Sequence, residues 1–521
     1  MSQMLKSSGA MAAATLTSRV LGMVREMVYA SFMGDKAVAS AFKLAFMIPN
    51  LFRRLLGEGA LTAAFIPIFK EKEKTADEME MWRAANAVIS GLIVAASAII
   101  GAALLGISLV LAFGRVQGDT RLMLELLRVM FPYMLLVCLS AVFLGILNAR
   151  GHFFVPALSA AILNAVMIAS VLWLTPYFGT KLDTQIFALA VGVLVAGFAQ
   201  MTYQLPALRR EGFHYRWEPP WHDETVKRVV RQMVPGAIGV AAFQINVLLT
   251  QSLAFWLDKS IVASFDYAVR LMELPQGVFG ISLATYLLPT LSALAAEKKY
   301  PDFRATLVQG LDYLVFVNML AAVLLMTLAE PIVRLLFERG AFDFLTTHRV
   351  TLALVCLAPG LVAFSIVNIL ARAFYALGDT QTPMKISIVC FALNLLFACL
   401  LIIPYRQGGL GVANTLTSVF NAALLLYALH KKIGRLGLKK LGRDFLCVWG
   451  VAIVSGAVAF GLYQIGNRRY GHSTLPLKLG QVFIPMAMAT LVYFGLASCL
   501  KIGVPMELLD LVKDRFKRIR P

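Results

Sequence analysis

Residues 84–113 (AANAVISGLIVAASAIIGAALLGISLVLAF) contain no charged side chain. A helix needs about 20 predominantly apolar residues to cross the hydrocarbon core of a bilayer. A backbone placed there must satisfy its own polar groups, which a helix does within one segment. Runs of this kind recur down the chain. Candidate spans lie near 8–33, 39–69, 84–113, 121–148, 153–176, 184–208, 227–256, 262–294, 304–328, 346–376, 383–404, 409–430, 443–466 and 477–500. The expected fold class is an all-α polytopic membrane protein with about fourteen transmembrane helices. Composition agrees, since 59% of the 521 residues are hydrophobic and only 15% are charged, too few charges for a soluble chain of this size. Segment 329–345 (AEPIVRLLFERGAFDFL) is amphipathic and too charged to span, and reads as an interfacial helix.

The formal charge of +19 does not require a nucleic acid partner, because basic loops facing a cytoplasm and its anionic lipids account for it. With the N-terminus placed inside, most of the 48 Lys and Arg residues fall in inside loops and in the tail from Lys501. Both termini are therefore expected in the cytoplasm, which an even number of spans also requires. Cys138, Cys356, Cys390, Cys399, Cys447 and Cys499 are scattered through apolar spans with no CxxC or Cys/His cluster. Neither a metal centre nor a disulfide framework is indicated. The N-terminal apolar stretch, interrupted by Arg19 and Arg25, does not have the form of a cleaved signal peptide.

An internal repeat is present. Pro132, Gly151 and Pro156 recur as Pro359, Gly378 and Pro383, each 227 residues on, and at that spacing Lys43 falls on Arg270. A six-span unit keeps both copies in one orientation, as parallel repeats about an axis along the membrane normal. This gives two pseudo-symmetric six-helix lobes, 1–222 and 223–434, with two extra C-terminal helices and a basic tail in 435–521. At the same spacing Arg19 falls on Asn246 and Arg25 on Ser252, so the charge belongs mainly to the first lobe.

That charge is the second constraint. Arg19, Arg25, Lys43, Arg53, Arg54, Arg128 and Arg270 lie within spans, against the acids Glu26, Glu58, Glu125, Asp266, Glu273 and Asp312. A cation at the centre of a bilayer helix costs at least about 2.5 kcal/mol on insertion scales and marks a cavity or pathway. Arg54 with Glu58 and Arg270 with Glu273 have helical pair spacing. Lys43, near a span end, can also snorkel to the interface. Arg19, Arg25 and Arg53 have no acid at i±3 or i±4. Arginine's planar fork makes two parallel hydrogen bonds to phosphate and stays protonated, so several arginines converging from spans one, two and eight suit a diphosphate. Pro49, followed by Gly57 and Gly59, is expected to bend span two. No Walker A, GxSxG or HExxH sequence occurs, so no catalytic residue is assigned and ATP-driven transport by this chain is not expected.

The runs SRVLGMVRE, AFKLAFMIPNLFRRLLGEGALTAAFIPIF and DYAVRLMELPQGVFGISLATYLLPTLS resemble the MurJ (MviN) lipid II flippases of the MOP exporter superfamily, and the similarity extends over the whole chain. The resemblance implies flipping of lipid II, undecaprenyl-pyrophosphate carrying a disaccharide-pentapeptide, from the inner to the outer leaflet of the bacterial cytoplasmic membrane. Other cell-wall synthesis proteins would be its partners. The family's cavity arginines fall on Arg19, Arg25, Arg53 and Arg270, with Arg54, Glu58, Glu273 and Lys43 in the same motifs. Its polyprenyl-tail groove falls on about 443–500. Many members carry Asp where this chain has Ser40, so a role given to that Asp does not transfer.

The implied mechanism is alternating access between the lobes, with no cofactor. Coupling to membrane potential or to a monovalent cation stays open. Some relatives bind sodium in the second lobe, where Asn394 and Asn414 are the candidates here, but that lobe offers few buried acids. The rivals are a multidrug/cation antiporter of the same architecture, an O-antigen-type lipid-linked oligosaccharide flippase, and a non-transporting membrane scaffold. An antiporter for cationic drugs calls for embedded carboxylates, the opposite sign to this cavity.

Overall fold

The computed structural model describes residues 2–57, 60–221, 223–434, 438–500 and 502. Helices run through each of the fourteen expected segments, and no strand occurs among the described residues. Contacts along the chain divide it into two units, Met1–Ala263 with Arg339–Phe342, and Ser264–Glu338 with Asp343–Pro521.

The first unit contains α1 (Ser2–Met33), α2 (Ala37–Phe52), α3 (Ala60–Thr75), α4 (Glu78–Phe113), α5 (Gly118–Met130), α6 (Tyr133–Ala149), α7 (Phe154–Ala169), α8 (Leu182–Arg210) and α9 (Glu224–Leu257). In it α1 packs on α7, α2 on α5, α8 on both α6 and α7, and α3 on α9. Between α2 and α3 the chain widens into a π-helical turn, Arg53–Gly57, one turn after the buried Pro49. Proline removes an amide from the helical ladder and crowds the carbonyl four residues back, and such sites relax by kinks or π-bulges. Helix starts outside the apolar stretches are capped: the Asp77 carboxylate accepts from Glu80 N at 2.7 Å, and Asp223 accepts from Thr225 N and Val226 N. Residues 339–342 join this unit through the Ala341 amide, which donates to Ser31 O at 2.8 Å. They lie against the turn at Gly34, whose φ of +57° favours glycine and whose Cβ position is already occupied by the Ala341 carbonyl.

The helix α10 (Ile261–Pro275) begins in the first unit and continues into the second, where a further π-helical turn, Gln276–Ile281, again adjoins a proline. The unit continues with α11 (Ser282–Ala296), α12 (Tyr300–Thr327), α13 (Ala329–Phe337), α14 (Phe344–Leu357), α15 (Gly360–Ala376), α16 (Gln381–Ile433), α17 (Leu438–Tyr470) and α18 (Leu475–Cys499). Its core gathers Leu291, Phe303, Leu307, Leu370, Phe374 and Leu429 from α11, α12, α15 and α16. The long α16 merges two helices across Arg406, whose φ of 48° and ψ of −125° are non-helical; the expected spans 383–404 and 409–430 are its two arms. On the other side α12 carries α17, and Gly456 of α17 abuts Val323 of α12 so closely that any side chain there would collide.

Among the described residues seven helices are long and apolar enough to cross a membrane, or nine if each bent pair counts as one span. The bent pairs are α5 with α6, at 45° across Pro132, and α14 with α15, at 47° across Pro359. These two prolines are the repeat landmarks read from sequence. The π-helical turns that start at Arg53 and at Gln276 are spaced more closely than the prolines. Element starts therefore do not place Lys43 on Arg270 as a single 227-residue offset does.

Segment 329–345 departs from the interfacial helix expected of it. Only Ala329–Phe337 is helical before α14, and one of its charged side chains, Arg334, is buried. Arg334 is 2% exposed; its Nη2 donates to Glu330 at 2.5 Å and its Nε lies 3.4 Å from Glu338. Glu338 also accepts from the Thr347 hydroxyl at 2.8 Å and lies 3.8 Å from Lys478 at the start of α18. Arg334 is thus buried between half-buried carboxylates of opposite sign.

Outside the spans, charged turns are cross-tied. In the first unit Arg150 donates to Glu73 at 2.6 Å and to Glu211 at 2.8 Å, and His152 reaches Glu211 at 2.7 Å. In the second, Lys432 donates to Asp379 at 2.5 Å, and Thr382 N caps onto the same carboxylate at 3.0 Å. The lysine first, and then the amide, hold the Asp379 carboxyl down at about 2 against an ordinary 3.8. A carboxyl depressed in the folded state contributes stability above its unfolded pKa and loses it as pH falls through the folded value. The Asp379→Asn variant is accordingly expected to melt below the wild type at pH 7 in a detergent thermal-unfolding scan. That gap should close as pH is lowered from 4 toward 2, and a gap that stayed constant would exclude the carboxylate as its source.

Candidate functional site

The helix α1 carries Lys6, Arg19, Arg25 and Glu26 in an otherwise uncharged run, and it lies along α7. Arg25 is positioned there by three groups. Its Nη1 donates to Asn164 Oδ1 of α7 at 3.0 Å, its Nη2 donates to Glu26 Oε1 at 2.5 Å, and its Cζ sits 5.6 Å from the centroid of the Tyr29 ring. Asn164 is itself oriented, since its amide donates to the Ser18 carbonyl at 3.2 Å. The second carboxylate oxygen of Glu26 lies 3.9 Å from Lys43 Nζ on α2. Glu26 is 4% and Lys43 9% exposed. Two cations thus flank one carboxylate inside an apolar helix pair, with Tyr29, Phe42 and Phe46 packed edge to face and stacked beside them. A carboxylate there is tolerated only because it is paired.

Sequence offers Arg25 no acid at i±3 or i±4, and the structure supplies one from the next residue, Glu26. Residues at i and i+1 do not face each other on an ideal helix, and the long guanidinium reaches sideways to close the gap. Lys43 is likewise buried against Glu26 rather than snorkelling to a span end. Neither Glu26 as a bridge nor Asn164 as a clamp was singled out from sequence. The only signals were the adjacent Arg-Glu and an amide inside the apolar run AILNAVMIA.

The remaining candidates are distributed. Arg19 is exposed on α1, Arg53 opens the π-helical turn and is half-buried, and Arg54 beside it is exposed. Glu58 lies outside the described residues. Ser40 is fully buried, and its Oγ accepts from Ala263 N at 3.1 Å, so it satisfies an amide in the first turn of α10. A hydroxyl is enough for that bond. Arg270 belongs to the second unit, half-exposed on α10, where it donates to Glu273 at 3.0 Å and lies 3.8 Å from Asp266. Asn394 donates to the Thr417 hydroxyl at 3.3 Å across the two arms of α16, and Asn414 donates to Leu410 O at 2.9 Å.

The comparisons with known proteins agree with one another. A family model described as lipid II flippase MurJ matches residues 29–480. The probable lipid II flippase MurJ of Haemophilus influenzae is 34% identical over 464 residues, covering 86% of this chain and 90% of that one. Its counterpart in Vibrio cholerae is 33% identical over 480 residues, covering 89% of each. Among solved structures, a lipid II flippase MurJ in an inward closed conformation superposes with a TM-score of 0.78 at 22% identity, covering 94% of this chain and 98% of that one. An inward-facing multidrug resistance MATE transporter of the MOP superfamily superposes with a TM-score of 0.67 at 16% identity, covering 82% and 98%. At these identities the superpositions speak for the fold.

Proposed function

The chain belongs to the MurJ lipid II flippase family, and from that premise we propose that it moves lipid II from the inner to the outer leaflet of the bacterial cytoplasmic membrane, with both termini in the cytoplasm. The observation that carries the site assignment is the cationic cluster on α1 and α2. Arg25, Lys43 and, one turn after Pro49, Arg53 stand in apolar helices with the Glu26 carboxylate between the first two. A net positive site buried in apolar surroundings favours an anion, and a pyrophosphate is the anion lipid II carries. Arg19, Arg25 and Arg53 of the first unit are its proposed binding residues. A cationic drug would meet repulsion at the same place.

The polyprenyl tail stays in lipid beside α17 and α18, whose Trp449, Ile453, Phe460, Ile484 and Leu491 are exposed apolar side chains. Alternating access of the two repeats exposes the head group first inward and then outward. No catalytic step and no cofactor is involved. Membrane potential acts on the cavity charges with about 2.3 kcal/mol per charge per 100 mV, enough to bias such a two-state equilibrium. Depletion of the protein in cells is expected to accumulate lipid II on the cytoplasmic face. Accumulation of a different lipid-linked precursor would overturn the substrate assignment.

A further inference from the structure

We infer that Glu26 and Lys43 form an internal counter-ion switch that screens Arg25 against the wrong anions. In this arrangement the Glu26 carboxylate occupies the position on Arg25 that a substrate phosphate must take, and moves to Lys43 when the substrate arrives. The inference rests on Arg25 being an anion-binding residue.

Three features carry it. Glu26 Oε1 holds Arg25 Nη2 at 2.5 Å while Oε2 stands 3.9 Å from Lys43 Nζ, at the outer limit of an ion pair. One carboxylate therefore already touches two cations, closely on one side and loosely on the other. Both Glu26 and Lys43 are nine-tenths or more buried, so a displaced carboxylate without a second cation would be stranded in an apolar setting at great cost. Lys43 removes that cost, since its ammonium is a rotatable point charge that can close the remaining distance. Arg25 itself is held from the other side by Asn164 and over Tyr29. The guanidinium is thus a fixed platform, and the carboxylate is the part that leaves.

The consequence is selectivity. An empty buried arginine in a membrane would collect any phospholipid phosphate. With Glu26 in place, an incoming anion has to outcompete a covalently tethered carboxylate. A pyrophosphate, with more charge and more acceptor oxygens than a phosphodiester, does so more readily. Glu26 is then a positioning residue that acts through Arg25.

The test is a binding cycle on the purified full-length chain in detergent, by titration calorimetry with inorganic pyrophosphate and, separately, inorganic phosphate. Glu26→Gln is expected to tighten both and to lower the pyrophosphate-to-phosphate preference by about tenfold. Lys43→Met is expected to weaken pyrophosphate by about tenfold in the wild-type background and by less than about twofold in the Glu26→Gln background, because no carboxylate then needs a place to go. Equal loss in both backgrounds would mean that Lys43 contacts the anion directly, and weaker binding in Glu26→Gln would make Glu26 a scaffold; either result overturns the switch. Wild-type affinity in Arg25→Ala, or no pyrophosphate binding by the wild type, instead removes the anion-site reading beneath it, and the switch with it. If Lys43→Met does not fold, Lys43→Gln carries the same comparison, and suppression of its growth defect by Glu26→Gln in depleted cells reads the same coupling.

Discussion

Arg25→Ala is expected to lower lipid II flipping by about a hundredfold or more, because truncating one partner of a buried, hydrogen-bonded charge pair costs roughly 2–5 kcal/mol. The variant loses the fork that faces the anion, and it takes from Glu26 its close cation while Lys43 stands at 3.9 Å. Both effects act against an anionic substrate. Arg25→Lys is the informative companion. It keeps the charge but cannot hold Asn164 and an anion together in one plane, so it should restore only a small part of the rate. Flipping would be measured on the reconstituted chain in proteoliposomes, with rescue of depleted cells as the second measure. Full activity in Arg25→Ala would end the assignment of this arginine to the site.

The second large effect is on stability. Arg334→Leu is expected to destabilise the second unit by about 3 kcal/mol or more, the usual loss when one member of a buried ion group is removed. The leucine fills the volume but leaves Glu330 and Glu338 facing one another, with Lys478 at 3.8 Å as a distant counter-charge to Glu338. Adding Glu330→Gln and Glu338→Gln to Arg334→Leu should recover most of the loss, since the repulsion goes with the charges. A thermal-unfolding midpoint in detergent reads both results. An unchanged midpoint in the single variant would show that the group contributes no net stability.

These two arginines also mark how far the sequence could be read. The helices were legible because apolar runs near 20 residues have one economical solution in lipid; Pro132 and Pro359 were legible only as repeat landmarks, and the bends at them appear in the structure. Arg25 was legible as a site residue because a cation in an apolar run demands a reason. Its partner was not, since Asn164 lies 139 residues away and Glu26 sits at a spacing that ideal helix geometry discounts. Arg334 was misread for a related reason. A segment with charges at every third or fourth position looks like a surface, and only the arrival of Thr347 and Lys478 from other helices turns that face into an interior. Ser40 was legible as a departure from a family pattern but not as a cap on α10, because the amide it serves is 223 residues distant.

The fastening of the last two helices has a consequence for biosynthesis. Tyr493 of α18 donates to the Phe316 carbonyl of α12, a residue made 177 positions earlier. Lys478 reaches Glu338, and Gly456 seats against Val323, across comparable stretches of chain. At about 5–20 residues per second the ribosome needs roughly ten to thirty seconds to bridge that interval. During it, the face of α12 that will carry α17 and α18 has not yet met them, although α11, α14 and α15 already pack on other sides of α12. Closing this face is therefore a late step of assembly, completed only once α17 and α18 have been made.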